Sequence, residues 1–335
     1  MSAVKRIKVT SEEDSMRLDR WFKIHFPTLP HAMLNKVVRK GEVRVDGGRV
    51  KTNTRLSVGQ EIRVPPFKID NGADGRAKLR TGPAPELSKA DRKKFQDMVI
   101  YEDKDIIVLN KPSGLAVQGG SKTKYHVDAL LMGLEQEFHD RPRLVHRLDR
   151  DTSGCLVIAK RRSIAAKLGK LFQTRTVHKT YWAAVKGVPE PLQGKIDISL
   201  IKAEGSYGER VRPARKGEGG AQKAVTHYSV IDRAADMLSW VSLKPVTGRQ
   251  HQLRAHMTFT GTPIIGDQKY DGLEDLPEGV DTRLHLHARR ISFPHPRGGV
   301  LDVTAPLPGY MRNTWNFFGF DPDRYDDDDQ EDVPK

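Results

Sequence analysis

The chain has 335 residues, and its 57 Lys and Arg against 43 Asp and Glu give a formal net charge of +14 at pH 7. A basic excess of this size favours a polyanionic partner, and nucleic acid is the leading choice. The single cysteine, Cys155, excludes an intramolecular disulfide and a cysteine-cluster zinc site.

The sequence has no pattern typical of a membrane protein or an exported one. No stretch approaches the roughly 18 consecutive apolar residues of a spanning helix. The first residues, Met-Ser-Ala-Val-Lys-Arg-Ile-Lys, lack the apolar segment of a secretory signal. We therefore expect a cytoplasmic protein without a membrane partner.

Two short basic helices followed by a small sheet are predicted for residues 1–66. Apolar residues recur at helical spacing within 16–22 and again within 34–38, with Lys and Arg beside them. The second helix is expected to end at Gly41, because glycine readily adopts the left-handed conformation of a helix C-terminus. Alternating residues and an Asp-Gly turn from position 43 onward then predict strands.

The remaining chain divides into three segments. Residues 67–90 are rich in Gly, Pro, Asp and Lys and predict a flexible linker. Residues 91–320 contain many β-type runs without the regular strand-helix order of a doubly wound fold, so we expect an α+β domain on a mixed, largely antiparallel sheet. Residues 321–335, with the run Asp326–Asp329, predict a disordered acidic tail.

The segment His146–Gly154 is a dense polar stretch between two apolar runs. Polar loops on a rigid sheet commonly carry catalytic residues. Taken alone, however, this segment is better explained as a hydrogen-bonded turn, with Asp149 or Asp151 as a cap and Gly154 supplying unusual backbone angles.

A second polar segment, Gly248–His256, contains several His and Arg residues. A helix here would bring His251 and Arg254 within one turn, so that cationic groups cluster on one face. A solvated basic helix is the alternative. A metal site is disfavoured, because His251 and His256 are five residues apart and no histidine-acid spacing matches a known metal motif.

Two shorter segments are not specific by themselves. Arg175–Tyr181 leads into an apolar strand, where a tyrosine is usually a core residue with a satisfied hydroxyl. Asn110-Lys111-Pro112 follows a strand and is typical of a turn.

Taken together and in this order, the segments resemble the RluA-type pseudouridine synthases from about residue 17 to residue 306. His146–Gly154 is similar to the signature loop of the family, and residues 17–62 resemble the S4 RNA-binding module. The other matching motifs are Asn110-Lys111-Pro112, Lys179-Thr180-Tyr181, Gly248–Arg254 and Leu286-His287-Ala288. Within the family, the likeness is greatest to members that act on large-subunit ribosomal RNA.

The resemblance implies a pseudouridine synthase fold behind an S4-like module. It implies an isomerase that flips specific uridines out of structured RNA, 23S ribosomal RNA in the first place, and converts them to pseudouridine. It implies no metal and no nucleotide or other cofactor, and we expect a monomer.

The resemblance also assigns roles to individual residues. Asp149 would be the indispensable carboxylate, attacking C1′ or C6 or taking the 2′ proton, with Tyr181 as stacking partner and general acid or base. Arg254 is the expected cationic partner of Asp149, and Arg249 is the alternative. The other substrate-binding residues would be Arg147, inserted into the RNA stack, Leu286 under the base, Asn110, Lys111 and His146. RNA phosphates would bind Arg17, Arg20, Lys36, Arg39, Lys40 and Arg44.

Three alternative functions stay open from the sequence. In the first alternative, the chain is a pseudouridine synthase whose substrate is transfer RNA or another ribosomal RNA site. In the second alternative, the chain is a non-catalytic ribosome-assembly factor that binds RNA. The third is a metal-dependent RNA hydrolase that uses the histidines, whose activity a chelator would abolish.

Overall fold

The computed structural model describes residues 4–67, 87–119, 125–138, 140–174, 176–205, 208–273 and 276–325. Contacts between residues divide the chain into two units, 1–83 and 84–335. Most of the predicted linker and the acidic run Asp326–Asp329 lie outside the described residues.

The described part of the first unit contains two α-helices, a short 3-10 helix at Ser11–Glu13 and a four-stranded antiparallel sheet. The main elements are β1 (Lys5–Lys8), α1 (Leu18–His25), α2 (His31–Lys40), β2 (Arg44–Val45), β3 (Gly48–Arg49) and β4 (Glu61–Val64), and the strand order is β1-β4-β2-β3. Gly41 ends α2 with a φ of 75°, the predicted left-handed cap. Leu18 and Trp21 of α1 and Ile62 of β4 are fully buried in the shared core. The S4-like identity of this unit stays a prediction.

The second unit contains six helices and twelve strands in its described part. The helices are α3 (Lys89–Met98), α4 (Val127–Gly133), α5 (Glu135–Phe138), α6 (Arg162–Thr174), α7 (Gln252–Phe259) and α8 (Gly309–Phe318). The strands are β5 (Val99–Glu102), β6 (Ile106–Lys111), β7 (Arg143–Leu144), β8 (Ser153–Ala159), β9 (His178–Lys186), β10 (Gln193–Asp197), β11 (Leu200–Gly205), β12 (Gly208–Pro213), β13 (Val225–Ala234), β14 (Leu238–Pro245), β15 (Leu286–Pro294) and β16 (Val300–Thr304).

Ten of these strands form one sheet in the order β10-β13-β14-β9-β15-β8-β6-β5, with β16 added to β15 and β7 to β8. The pairing of β15 with β8 is parallel, and the other pairings within the described part of the sheet are antiparallel. This confirms the predicted α+β domain on a mixed, largely antiparallel sheet. β11 and β12 form a separate hairpin.

Helices cover both faces of the large sheet. Because side chains alternate along a strand, Tyr181 and Trp182 of β9 lie on opposite faces. α7 packs on the face of Tyr181 through Leu253. α8 packs on the other face through Trp315, whose ring lies 5.6 Å from that of Trp240. Tyr181 therefore belongs to the face that carries α7.

Two predicted segment boundaries need correction. Phe67 packs in the core of the first unit and α3 begins at Lys89, so both ends of the predicted 67–90 linker belong to folded structure. Tyr325 lies within the predicted tail, but its ring packs edge-on against Trp240 at 5.3 Å. An aromatic side chain in an acidic segment was the signal that part of the segment is anchored.

Candidate active site

The loop before β8 and the segment before α7 line a cleft of about 590 Å³. The predicted site residues that line it are His146, Arg147, Asp149, Tyr181, Arg249, Arg254 and Leu286. Two motifs more than ninety residues apart in sequence therefore meet. Strand register brings them together, because the start of β8 lies level with the last residues of β14 across β15 and β9.

A close backbone approach at Gly154 sets the position of the 146–154 loop. Gly154 has a φ of 104° and lies beside Ala288 of the parallel neighbour β15. A Cβ at this position would overlap the backbone carbonyl of Ala288. The glycine is therefore required for the 146–154 loop to enter β8 at this point of the sheet.

Lys111 supports the loop and does not line the cleft, which corrects its predicted role in substrate binding. The side chain is fully buried, and burial lowers the pKa of its ammonium to about 7. Its Nζ donates to the carbonyl oxygens of Pro112 at 2.8 Å, Leu115 at 2.8 Å and Arg150 at 2.9 Å. Because an ammonium has three donors, Lys111 has none left for RNA.

Asn110 is likewise part of the scaffold. Its Nδ2 donates to the carbonyl oxygen of Pro306 at 3.0 Å, and it does not line the cleft. Its side chain joins β6 to the segment after β16, and a contact of Asn110 with the substrate stays a prediction.

His146 lines the cleft and fastens the start of the loop. Its Nε2 accepts a hydrogen bond from the backbone N–H of Val157 at 2.8 Å, and its ring stacks on Phe172 at 4.6 Å. Burial, helped by the charge of Lys179, lowers the pKa of His146 to about 3. The imidazole is therefore neutral at pH 7, and its unprotonated Nε2 accepts this hydrogen bond.

Asp149 faces a cationic partner that a second carboxylate holds in place. Nη1 of Arg254 lies 3.6 Å from Oδ2 of Asp149, whose side chain is 20% exposed. Nε and Nη2 of Arg254 donate to Oδ2 and Oδ1 of Asp267 at 2.6 and 2.7 Å. Asp149 thus keeps an open side towards the cleft while Asp267 is fully buried. The sequence had assigned no role to Asp267.

His251 is the second group beside Asp149, and its environment differs from the predicted cationic cluster. Its Nε2 lies 4.0 Å from Oδ2 of Asp149, and its Nδ1 is 3.1 Å from the hydroxyl of Tyr270. Burial lowers the pKa of His251, so the ring is mainly neutral at pH 7. The sequence pattern had suggested that His251 lies within a helix. It instead precedes α7, with a φ of 50°.

Comparisons with known proteins identify the family of this chain. A family model described as RNA pseudouridylate synthase matches residues 105–259. The Haemophilus influenzae protein called "Ribosomal large subunit pseudouridine synthase C" is 37% identical over 316 residues, which cover 93% of this chain and 94% of that protein. The chain belongs to the RNA pseudouridylate synthase family.

Two further comparisons support the assignment to the pseudouridylate synthase family. The Escherichia coli K12 protein of the same name is 35% identical over 313 residues, covering 91% of this chain and 93% of its own length. The solved structure of human RNA Pseudouridylate Synthase Domain Containing 4 is similar with a TM-score of 0.58 and 29% identity, over 68% of this chain and 95% of that one. The resemblance predicted from the sequence is thereby confirmed, as is the class of enzyme, an RNA pseudouridine synthase.

Tyr181 and Leu286 form the apolar side of the synthase cleft. Leu286 is 3% exposed, and Tyr181 lies across from Ala288 on the neighbouring strand. Burial and the charge of Asp149 raise the pKa of Tyr181 well above its usual range. The phenol therefore stays protonated at neutral pH and is suited to donate a hydrogen bond.

The two remaining cleft arginines are exposed at its rim. Arg249 directs Nε to the carbonyl oxygen of Lys223 at 3.0 Å, and it is Arg254 that lies beside Asp149. Arg147 is exposed in the same loop as Asp149. Both positions leave a guanidinium in contact with solvent.

The six basic residues predicted to bind RNA in the first unit differ in how free their charges are. All six are exposed, and Arg20, Lys36 and Arg39 lie on the two helices without an ion pair to another described residue. Arg17 pairs with Asp19 at 2.5 Å. Lys40 lies 3.8 Å from Glu42, and Arg44 donates to the backbone carbonyls of Gly41 and Gly47. Arg20, Lys36 and Arg39 are therefore better suited to bind phosphates.

Within the described ranges, no group of three or more His, Cys, Asp or Glu side chains is placed to hold a metal ion. None of the helices in that part of the chain is long and apolar enough to cross a bilayer.

Proposed function

We propose that this pseudouridine synthase isomerises specific uridines of large-subunit ribosomal RNA, with Asp149 as the catalytic carboxylate. The observation that carries the proposal is the position of Asp149, which is open to the cleft and 3.6 Å from a guanidinium nitrogen of Arg254. The printed names of the Haemophilus and Escherichia relatives support the choice of RNA. Their likeness covers more than nine tenths of this chain.

The reaction breaks the bond from N1 to C1′ of uridine, turns the uracil, and joins C5 to C1′. A proton leaves C5 and a proton is added at N1, so no oxidant or energy source is consumed. A carboxylate can assist by attacking C1′ or C6, or by taking the 2′ proton. Asp149 is suited to each of these routes, because it is open to the cleft and the guanidinium of Arg254 places a positive charge 3.6 Å from its Oδ2.

The other cleft residues would hold the uridine outside the RNA helix. Leu286 offers an apolar wall for the base, and the protonated hydroxyl of Tyr181 offers a hydrogen-bond donor. Arg147 is exposed beside Asp149, where its planar guanidinium can fill the gap that the flipped base leaves in the stack. That replacement would offset part of the few kcal/mol that unstacking costs.

The first unit would add affinity without reading sequence. Arg20, Lys36 and Arg39 are exposed cations on two neighbouring helices. Phosphate contacts of this kind fix an RNA on the protein, while shape and unpaired bases select the target. An S4-like role for this unit is part of the proposal, as are a monomeric enzyme, a cytoplasmic location and independence of nucleotide cofactors.

Tritium release from RNA made with 5-tritiated uridine tests the proposal, because the C5 hydrogen leaves only if C5 forms the new bond. The wild-type chain would be compared on unmodified large-subunit ribosomal RNA, small-subunit ribosomal RNA and a transfer RNA mixture, with a chelator present. We expect release from the large-subunit RNA alone. Release from transfer RNA alone would show that transfer RNA, and not large-subunit ribosomal RNA, is the substrate. No release from any RNA that the protein binds would contradict the catalytic assignment.

A further inference from the structure

Tyr270 is a buried residue that does not line the cleft, yet it contacts both groups that lie beside Asp149. It is 4% exposed, and its hydroxyl lies 3.1 Å from Nδ1 of His251, which does line the cleft. The two rings meet edge-on at 5.7 Å. The guanidinium of Arg254 lies over the Tyr270 ring at 5.1 Å. Tyr270 is therefore placed to influence Asp149 through its neighbours.

Both ends of Tyr270 are held by hydrogen bonds. Oγ1 of Thr258 in α7 donates to the carbonyl oxygen of Tyr270 at 3.1 Å. The hydroxyl oxygen of Tyr270 accepts the backbone N–H of Val211 in β12 at 2.8 Å. His251 has a φ of 50°, and residues held in this sparsely populated region cluster at functional sites. The contact between the two rings thus joins two residues whose positions are imposed by the surrounding fold.

The hydroxyl of Tyr270 decides which nitrogen of His251 carries the proton. Burial raises the pKa of Tyr270 to about 12, so the phenol keeps its single proton at neutral pH. The Val211 N–H is itself a donor, and within the described ranges Nδ1 of His251 is the acceptor beside the hydroxyl. A buried hydroxyl proton without an acceptor is costly. Nδ1 therefore accepts, and a neutral ring then carries its proton on Nε2.

The position of Asp149 favours the same tautomer for an independent reason. Nε2 of His251 lies 4.0 Å from Oδ2 of Asp149. A carboxylate attracts an N–H at this nitrogen and repels an unprotonated nitrogen with its lone pair. Nη1 of Arg254 approaches the same oxygen to 3.6 Å. Two donor groups thus lie beside Oδ2.

We propose that Tyr270 is a positioning residue that holds His251 in its Nε2–H tautomer, with this proton offered to Oδ2 of Asp149. The proposal rests on the function proposed above, because it deepens the account of the same site. His251 and Arg254 then hold Oδ2 from two sides, and Oδ1 is the oxygen that meets the uridine. The 4.0 Å distance shortens when RNA fills the cleft, as hydrogen bonds of active sites commonly do on substrate binding.

The first measurement is the protonation of the His251 ring in the full-length chain without RNA. Long-range ¹H–¹⁵N spectra of the chain with ¹⁵N-labelled histidine distinguish a protonated ring nitrogen from an unprotonated one, and His251→Gln identifies the signals of this residue. We expect the proton on Nε2 in the wild type. In Tyr270→Phe, the Nδ1 signal should shift because its donor is lost. A proton on Nδ1 in the wild type would overturn the proposal, as would an unchanged Nδ1 signal in Tyr270→Phe.

Tyr310→Phe is the matched control, because Tyr310 has similar surroundings on the other face of the large sheet. It is 6% exposed, and its ring meets His285 edge-on at 5.3 Å. The guanidinium of Arg283 lies over the Tyr310 ring at 4.1 Å, and the hydroxyl donates to the carbonyl oxygen of Leu284 at 2.7 Å. The control therefore removes a buried phenol hydroxyl of the same kind away from Asp149.

Single-turnover tritium release tests whether Tyr270 acts through His251. Tyr270→Phe should lower the rate at saturating RNA by about tenfold or more with little change in KM, as expected when a partner that orients a histidine is lost. Tyr310→Phe should stay close to the wild-type rate. His251→Gln retains an N–H donor near the place of Nε2 and should keep more of the rate than His251→Ala. In a His251→Ala background, Tyr270→Phe should cost less than about twofold, because residues that act through one another are not additive.

Additive losses for Tyr270→Phe and His251→Ala would overturn the positioning role and would leave Tyr270 as a support of the fold alone. The spectrum of the wild type and the comparison of the two His251 variants do not depend on the folding of Tyr270→Phe. The spectrum also requires no turnover, so it separates this proposal from the reaction. Tritium release with a proton on Nδ1 rejects only the positioning role, whereas a proton on Nε2 without release rejects only the assigned reaction.

Discussion

Asp267 accepts hydrogen bonds from Nε and Nη2 of Arg254, which leaves Nη1 as the guanidinium nitrogen nearest to the catalytic cleft. Two carboxylates thus share one cation in unequal ways. Asp267 is fully buried and holds the guanidinium by two short bonds, while Asp149 is partly exposed at 3.6 Å. The arrangement orients Arg254 towards Asp149 without closing a tight ion pair over the reacting carboxylate.

Asp267→Asn should therefore lower both stability and activity. Removing one partner of a buried ion pair costs about 3–5 kcal/mol, and the guanidinium becomes free to close on Asp149. We expect a loss of about 3 kcal/mol in the free energy of unfolding by urea, together with at least a tenfold lower turnover. Asp281→Asn is the control, because Asp281 pairs with Arg283 near the surface and should cost under about 1 kcal/mol. Equal losses in the two variants would contradict this account.

Tyr181→Phe should slow the chemical step more than it weakens RNA binding. The phenol stays protonated because burial and Asp149 raise its pKa, so the hydroxyl serves as a donor that the phenylalanine ring lacks. A positioned proton donor contributes about 100-fold or more to a rate. Single-turnover rates and KM would be measured together with Tyr228→Phe, whose hydroxyl donates to Pro191 away from the cleft. A wild-type rate for Tyr181→Phe would leave this side chain only a stacking role.

Gly154→Ala should prevent the catalytic loop from entering β8 correctly. The new Cβ would overlap the backbone of Ala288, which cannot move without breaking the parallel pairing of β15 and β8. Gly114→Ala is the matched control, since its φ is 85° but no atom lies within 4 Å of the added carbon. We expect a cost of about 1–2 kcal/mol for the control, from backbone strain, and a larger one for Gly154→Ala. Thermal unfolding of both variants measures the difference.

Stability should fall below pH 6.5, in part because of His287. Burial lowers the pKa of this fully buried ring to about 4, against 6.5 for an exposed histidine. Between these values the unfolded chain binds a proton that the folded chain does not, so stability falls as the pH is lowered. For this residue the loss between pH 7 and pH 5 is about 2 kcal/mol.

His287→Gln should remove that share of the pH dependence, whatever its effect on stability at pH 7. Urea unfolding of wild type, His287→Gln and the exposed control His178→Gln at the two pH values measures it. The account predicts a smaller drop for His287→Gln alone. The same drop in all three proteins would mean that His287 is protonated in the folded state.

Local patterns were sufficient for part of this structure. The cap at Gly41 and the polar loop from His146 to Gly154 are encoded by neighbouring residues, so the sequence located both. The order of the motifs along the chain also predicted the family. Similarity to the family motifs predicted that Asp149 and Arg254 lie together, and both line the cleft.

Those local patterns could not predict contacts between residues that are distant in sequence. Lys111 was expected to contact the substrate, yet one of its acceptors is the carbonyl of Arg150, 39 residues away. Asp267 carried no motif of its own, because its role depends on an ion pair with α7.

The most direct test of the central claim is the single-turnover rate of Asp149→Asn on 5-tritiated large-subunit ribosomal RNA. Asp151→Asn is the matched control, because Asp151 belongs to the same loop but pairs with Arg150 at the surface. The account predicts no tritium release by Asp149→Asn, near wild-type release by Asp151→Asn, and RNA binding by both. Release by Asp149→Asn at a rate close to that of wild type would contradict the assignment of Asp149 as the catalytic carboxylate.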